Sequence, residues 1–183
     1  MPTFSLTSSI SDLKGILSLQ SANTKNILKP YHIENQGYVT VHHTLDLLTS
    51  MHDRHPHFII KEQGLVIGYA LVMFRELEGV IPVLQPMFDR IDLIEYNGAP
   101  VQSCNYFIMG QVCVDVNFRK QKLASKLYRF MFDCMKPKFE YIITEVSYYN
   151  KPSTSLHLST GYEIIDTYTT NTDKWNILIK KLC

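Results

Sequence analysis

Between Gln111 and Leu127 an apolar run, Val112-Cys113-Val114, leads through the basic turn Arg119-Lys120-Gln121-Lys122 into Leu123-Ala124-Ser125 and an amphipathic stretch. Strand, basic turn and helix start together make an anion site. The first N–H groups of a helix have no intrahelical acceptor and sit at the positive end of its dipole, so a phosphate binds there without disturbing the fold. Arg119, Lys120 and Lys122 add formal positive charge. Cys113 is the one nucleophile type on the apolar strand, but a thiol buried among apolar residues is inert, which argues against a covalent acyl-enzyme. His52, His55 and His57, with Asp53, have a superficial look of metal ligands. Pro56 and the strand start at Phe58 send those side chains to different faces, so no metal site is expected.

These residues need elements to position them. Leu13, Ile16 and Leu17 at helical spacing predict a helix over Ser11 to Leu19, capped by Ser9 or Ser11 and ending near Asn23. Lys29-Pro30 is expected to stop anything helical that follows. Thr44 caps a second helix to His52, with Leu45, Leu48 and Met51 on one face. The polar loop from Glu34 to Tyr38 lies between them and is a candidate lining of a substrate site. Phe58 to Lys61 and Leu65 to Phe74 flank Glu62-Gln63-Gly64 as a hairpin. Arg75 to Ser103 is a long connection with a short helix over Met87 to Ile94, and long connections in compact domains are often functional. Tyr106 to Asp115 is nearly continuous in apolar residues, as in a central strand. A helix follows over Lys122 to Met135, with Leu123, Leu127, Phe130 and Met131 as its stripe. Phe139 to Val146 is a strand, Pro152 to Thr160 a helix ended by Gly161. Tyr162 to Thr169 and Trp175 to Lys181 form a hairpin around Asn171-Thr172-Asp173. The order predicts an α/β (α+β) fold: a mixed, mostly antiparallel sheet with helices on both faces, residues 1–183 forming one domain.

Composition narrows the function. A chain of 183 residues, 45% hydrophobic and 19% charged, supports a core that folds unaided. The net charge of +1 and the absence of a long basic run exclude a nucleic-acid backbone as partner. No apolar segment approaches the ~20 residues of a bilayer span and the N-terminus lacks a signal-peptide pattern, so no membrane is expected. Cys104, Cys113, Cys134 and Cys183 are scattered without a Cys-x-x-Cys pair, as expected of a reducing cytoplasm. The C-terminal hairpin offers an edge for pairing in a homodimer.

Two separated motifs resemble the GCN5-related N-acetyltransferase superfamily, which binds acetyl-CoA. The family's loop Arg/Gln-x-x-Gly-x-Gly/Ala after an apolar strand has its counterpart in Arg119-Lys120-Gln121-Lys122-Leu123-Ala124, preceded by Val114 and Phe118. Downstream, Asn150, Ser153, His157, Gly161 and Tyr162 follow the family's Asn-x-x-Ser, then Tyr or His, then Gly-Phe. The second match is the more specific, and together they cover the C-terminal half.

The resemblance implies acetyl-CoA as co-substrate and transfer of its acetyl group to an amine, on a small molecule or a peptide, by direct attack in a ternary complex. Val112, Cys113 and Val114 would offer backbone groups to the pantetheine at a splay between strands, much as a sheet edge receives a peptide. Residues Lys120 to Ser125 would hold the pyrophosphate. Asn150 would contact the pantetheine or phosphate arm, and Ser153 the pyrophosphate side. His157, one turn beyond Ser153, occupies the position of the family's general acid. Glu145, the charged residue in a β-rich run, is a candidate base for the amine, with Asp115 or a water chain as alternatives. One departure stands out: Lys122 replaces the family's first glycine. In helical geometry it keeps its amide on the phosphate and adds an ammonium, whereas a positive φ would weaken the affinity. A CoA-binding or regulatory module without turnover is the alternative, favoured by Lys122 in place of glycine and His157 in place of the more usual tyrosine.

Overall fold

The computed structural model describes residues 1–182 apart from 26, 29 and 172, and the backbone alone at 32, 36 and 83. Expectations at Lys29, Thr172 and Cys183 therefore lie outside the described residues. In chain order the elements are β1 (Thr3–Leu6), α1 (Ile10–Ala22), α2 (Pro30–Gln36), α3 (Leu45–Arg54), β2 (Phe58–Glu62), β3 (Leu65–Met73), α4 (Gln85–Ile91), β4 (Glu95–Tyr96), β5 (Ala99–Pro100), β6 (Tyr106–Val114), α5 (Leu123–Met135), β7 (Tyr141–Ser147), α6 (Lys151–Ser159), β8 (Glu163–Thr169) and β9 (Lys174–Lys181).

The main sheet has the order β1-β2-β3-β6-β7-β9-β8, and its neighbours run antiparallel except for β6 and β7. One apolar layer joins α1, α3 and the 75–103 connection to one face, through Leu13, Ile16, Leu48, Met73, Met87, Ile143 and Ile177. The other layer lies under α5, where Leu127, Tyr128 and Met131 meet Ile142, Val146 and Leu178. Alternation along the strands sends neighbouring residues to these two layers.

Local chemistry explains the helix limits. Ser9 caps α1 by accepting from the Asp12 amide, and Thr44 caps α3 by accepting from Leu47. One expectation is corrected, and one strand was not expected. Pro30 does not stop a helix but opens α2, because the first helical position has no hydrogen bond for its missing N–H to lose. The N-terminal β1, too short and too polar to carry an alternation signal, pairs with β2 in register Thr3↔Lys61 to Leu6↔Phe58.

The feature that shapes the site is the divergence of β6 from β7. Their pairing runs Tyr106↔Tyr141, Phe107↔Ile142 and Ile108↔Ile143 and then ends, although β6 continues to Val114 and β7 to Ser147. Near the end of the pairing, the register between β3 and β6 slips so that Gly110 is the extra residue of a bulge, which re-aims the strand. The Thr144 hydroxyl closes the last rung by donating to the Met109 carbonyl at 2.9 Å. Thr144→Val leaves that carbonyl without its donor in a buried place, and should lower stability by about 1–3 kcal/mol in urea unfolding. An unchanged midpoint would mean that the carbonyl finds another partner and that the seam does not depend on Thr144.

Candidate active site

Beyond the seam, β6 has an open edge whose chemistry follows from strand parity. The Asp115 amide donates to the Ile67 carbonyl, so Ile67 and Asp115 form a hydrogen-bonded pair, and so, two residues along, do Tyr69 and Cys113. Cys113 therefore spends its backbone groups on β3, while those of Val112 and Val114 point to the gap. This corrects the expectation that all three residues offer backbone to a ligand. The Cys113 thiol is buried and pushed up to about 12 by that burial, which removes it as a nucleophile at neutral pH.

On one side of the gap lies a cleft of about 330 Å³ lined by Val112, Val114, Phe118, Leu123, Leu156 and the loop from Arg119. Its basic end is built from two left-handed residues, Lys120 at φ 61° and Lys122 at φ 58°. Lys122 is the N-cap of α5 and no side chain caps it, so the first amides of the helix are left for a ligand. Alternating handedness in such a turn gathers successive N–H groups into an anion-binding concavity. Of the two alternatives for Lys122, the positive φ is the one found. The expected loss of affinity does not follow, because the strain is already present in the folded chain and burdens stability rather than binding. Gln121 is exposed and does not line the cleft, which corrects its assignment as a binding residue.

Arg119 is also reassigned. Its Nε donates to the Val114 carbonyl at 2.9 Å and a terminal nitrogen to Asn23 Oδ1 at 2.6 Å, so the guanidinium clamps the end of β6 to the end of α1. It thereby occupies one of the two Val114 groups that face the gap. Ser153 and Ala124 line the cleft as expected, with Ser125 beside them. Asn150 accepts from the Ser153 amide as the cap of α6 and donates to the Tyr38 carbonyl at 2.9 Å, so its amide group holds the 37–38 loop rather than standing free for a ligand. Gly37 is required there: at φ +74°, an added Cβ would lie 2.8 Å from Asn150 Oδ1.

A second chamber, of about 70 Å³, opens on the other side and shares Tyr38, Val39, Val112 and Ser153 with the first cleft. Glu145 lines it from β7. Burial raises the Glu145 carboxyl to about 7; the Tyr168 hydroxyl, which donates to Oε2, opposes the shift and nearby Asp173 adds to it. A carboxylate so raised is matched to taking a proton near neutral pH.

His157 borders the same chamber but is 1% exposed and has both ring nitrogens engaged. Nδ1 lies 2.7 Å from the Ser153 carbonyl, which can only accept, so Nδ1 carries the proton. Nε2 then accepts from the Tyr128 hydroxyl at 2.8 Å. Burial lowers the imidazole to about 4, so the ring is neutral and has no proton free to give. The expected role of general acid is corrected to one of positioning: His157 joins α6 to Tyr128 of α5.

Sequence reasoning missed a buried network behind the chamber. Gln20 donates to His43 Nδ1 at 2.8 Å and to Gln111 Oε1 at 2.7 Å, and the Tyr69 hydroxyl donates to that same oxygen at 2.6 Å. Gln111 in turn donates to the Val41 carbonyl at 3.0 Å, fixing the 39–43 segment against β6. The available signal was Gln20 on the apolar stripe of α1, where a polar residue needs buried partners. The histidines of the 52–57 segment bond separately: His52 to the Thr7 hydroxyl, His55 to the Pro56 carbonyl, and His57 to the Val72 amide. Among the described residues, no three metal-ligating side chains gather.

No family model and no curated protein matches this sequence. Solved structures do match its shape. The NatC complex bound to Gag peptide and CoA superposes over 100% of this chain and 99% of that chain, at TM-score 0.69 and 13% identity. The ribosomal-protein-S18-alanine N-acetyltransferase from Escherichia coli superposes over 100% of this chain and 94% of that chain, at TM-score 0.65 and 13% identity. A putative acetyltransferase from Salmonella typhimurium, solved with its cofactor acetyl-CoA, covers 100% and 95% at TM-score 0.63 and 16% identity. The chain has the fold of the GCN5-related N-acetyltransferases.

The lysine in the left-handed position makes a measurable difference. An L-residue in that conformation carries roughly 1–2 kcal/mol of strain that glycine does not, against roughly 0.5–1 kcal/mol of extra chain entropy that glycine loses on folding. Lys122→Gly should therefore raise the unfolding free energy by about 1 kcal/mol. A destabilised variant would show that the lysine side chain makes contacts that outweigh the strain.

Proposed function

We propose that the protein is an acetyl-CoA-dependent N-acetyltransferase in which the amine attacks the thioester directly. The observation that carries this is the open edge of β6, which runs from an uncapped, basic helix start to a chamber holding a carboxylate raised to about 7. The residues suit the co-substrate. Amides of Leu123, Ala124 and Ser125, with Lys120 and Lys122, would hold a pyrophosphate, and the apolar walls Val112, Phe118 and Leu156 would take an uncharged arm. The bound thioester supplies an activated acetyl group. The neighbours solved with CoA or acetyl-CoA support this choice of donor.

Glu145 takes the proton of the bound ammonium and frees its lone pair. The new N–C bond forms as the C–S bond breaks; the sulfur leaves with the electron pair, and the second proton lost by nitrogen replaces the one that the protein donates to sulfur. Backbone N–H groups on the open edge of β6 stabilise the negative charge that builds on the carbonyl oxygen. Tyr38 replaces His157 as the proton donor. It lines both the cleft and the chamber, and its hydroxyl donates to Ser147 Oγ at 3.2 Å. A hydroxyl proton can rotate from Ser147 toward the gap, as the locked imidazole of His157 cannot.

The alternative is a CoA-binding module without turnover, favoured by the engaged ring of His157. Thiol release separates the two. The native protein should melt later with acetyl-CoA, by the equivalent of ~2.7 kcal/mol at a hundredfold excess over its dissociation constant. Glu145→Gln should keep that shift and lose about 10²–10⁴-fold in kcat. The base must be ionised, so kcat/KM of the native enzyme should fall tenfold per pH unit below about 7, and this limb should vanish in the variant. Stabilisation without thiol release from a broad amine panel would establish the module instead, and no stabilisation at all would reject both.

A further inference from the structure

Resting on the acetyltransferase assignment, the chamber's lining specifies the acceptor. Most of its polar side chains are committed within the protein. Gln111 serves the Gln20 network, Thr144 the Met109 carbonyl, Ser147 donates to Asp173 at 2.8 Å, Asn150 holds Tyr38, and His157 is tied at both nitrogens. Glu145 is the one carboxylate among the described lining residues, and it keeps an oxygen open. Its Oε2 accepts from Tyr168, while Oε1 has no protein donor among the described residues.

The remaining wall is mostly apolar, interrupted by Thr40 and Ser153. Met73, Leu84 and Met87 are buried lining residues, and Val41 and Trp175 belong to the same lining. No Lys or Arg stands among the described lining residues. Met73 and Met87 belong to the same apolar layer as Ile143 and Ile177, and Glu145 shares their face of the sheet, two residues from Ile143 and opposite Ile177. The volume of about 70 Å³ leaves room for a short side chain with its remainder toward the rim.

We infer that the acceptor is a primary amine borne on an uncharged apolar group, with the amine on Glu145 and the apolar group against Met73, Leu84 and Met87. A second ammonium, as in a polyamine, would meet the apolar lining with no carboxylate to receive it. An α-carboxylate would meet Glu145 with no cation to offset it. Two sources carry the specified chemistry: α-amines of amino-acid amides or peptide N-termini, and free alkylamines. Proton transfer favours the first. An α-ammonium near ~8 lies roughly one unit above the Glu145 carboxyl, whereas an alkylammonium near ~10.4 lies roughly three.

The test measures kcat/KM by thiol release for methioninamide, a methionine-initiated peptide, butylamine, free methionine and spermidine. Methioninamide or the peptide should exceed butylamine, and each of these three should exceed free methionine and spermidine by at least about tenfold. Turnover led by spermidine or free methionine would overturn the inference while leaving the acetyltransferase assignment intact. Thiol release from no amine would overturn both, and the acetyl-CoA melting shift then tells a binding module from an unrelated domain. Met87→Ala, or Leu84→Ala should the first fail to fold, should reduce the preference for methioninamide over alaninamide by about tenfold. An unchanged preference would put the apolar group elsewhere and sink the inference.

Discussion

The open edge of β6 is the constraint on which this structure depends. A sheet interior normally satisfies every strand amide and carbonyl, and a buried gap between two neighbours leaves such groups without partners. The fold confines that cost to a short stretch. Thr144 closes the last rung, Arg119 takes the Val114 carbonyl, and Asn150 ties the covering loop to the start of α6. What remains is a narrow backbone surface between an anion site and a carboxylate, held open by residues on either side.

Burial acts on Glu145 and His157 in the same physical sense and with opposite chemical results. Both side chains are driven toward their neutral forms. For a carboxyl this brings the proton-binding equilibrium up to neutral pH, where it can work as a base. For an imidazole it takes the equilibrium away from neutral pH and leaves a rigid, uncharged spacer. The hydrogen bonds decide the rest: among the described residues the Glu145 carboxylate keeps one oxygen without a protein donor, whereas His157 has no nitrogen to spare.

Much of the architecture was legible because periodicity reports burial directly. The stripe of α5, the continuous apolar run of β6 and the caps Ser9 and Thr44 all follow from one local rule each. The motif positions Lys122 and Ser153, and Glu145 as the charged residue of its strand, line the two sides of the gap. What the sequence hid were partners. Position 119 called for a cation, but nothing local says that its guanidinium turns inward to Asn23, 96 residues away. The role of His157 likewise depends on Tyr128, which the stripe of α5 omitted because a phenol does not count as plainly apolar. The divergence of β6 from β7 was expected from the family resemblance alone, since no local pattern marks a pairing that stops.

Strand parity at the gap also gives β6 an uneven relation to solvent hydrogen. The Cys113 amide is locked into the ladder with β3, while those on either side, of Val112 and Val114, face the gap. Deuterium should therefore enter the strand at every second residue, slowly at 113 and readily at 112 and 114, although all three lie in one central strand. A ligand lying along the edge would even out that alternation. The strand thus carries an isotopic record of occupancy, legible without any knowledge of which molecule is bound.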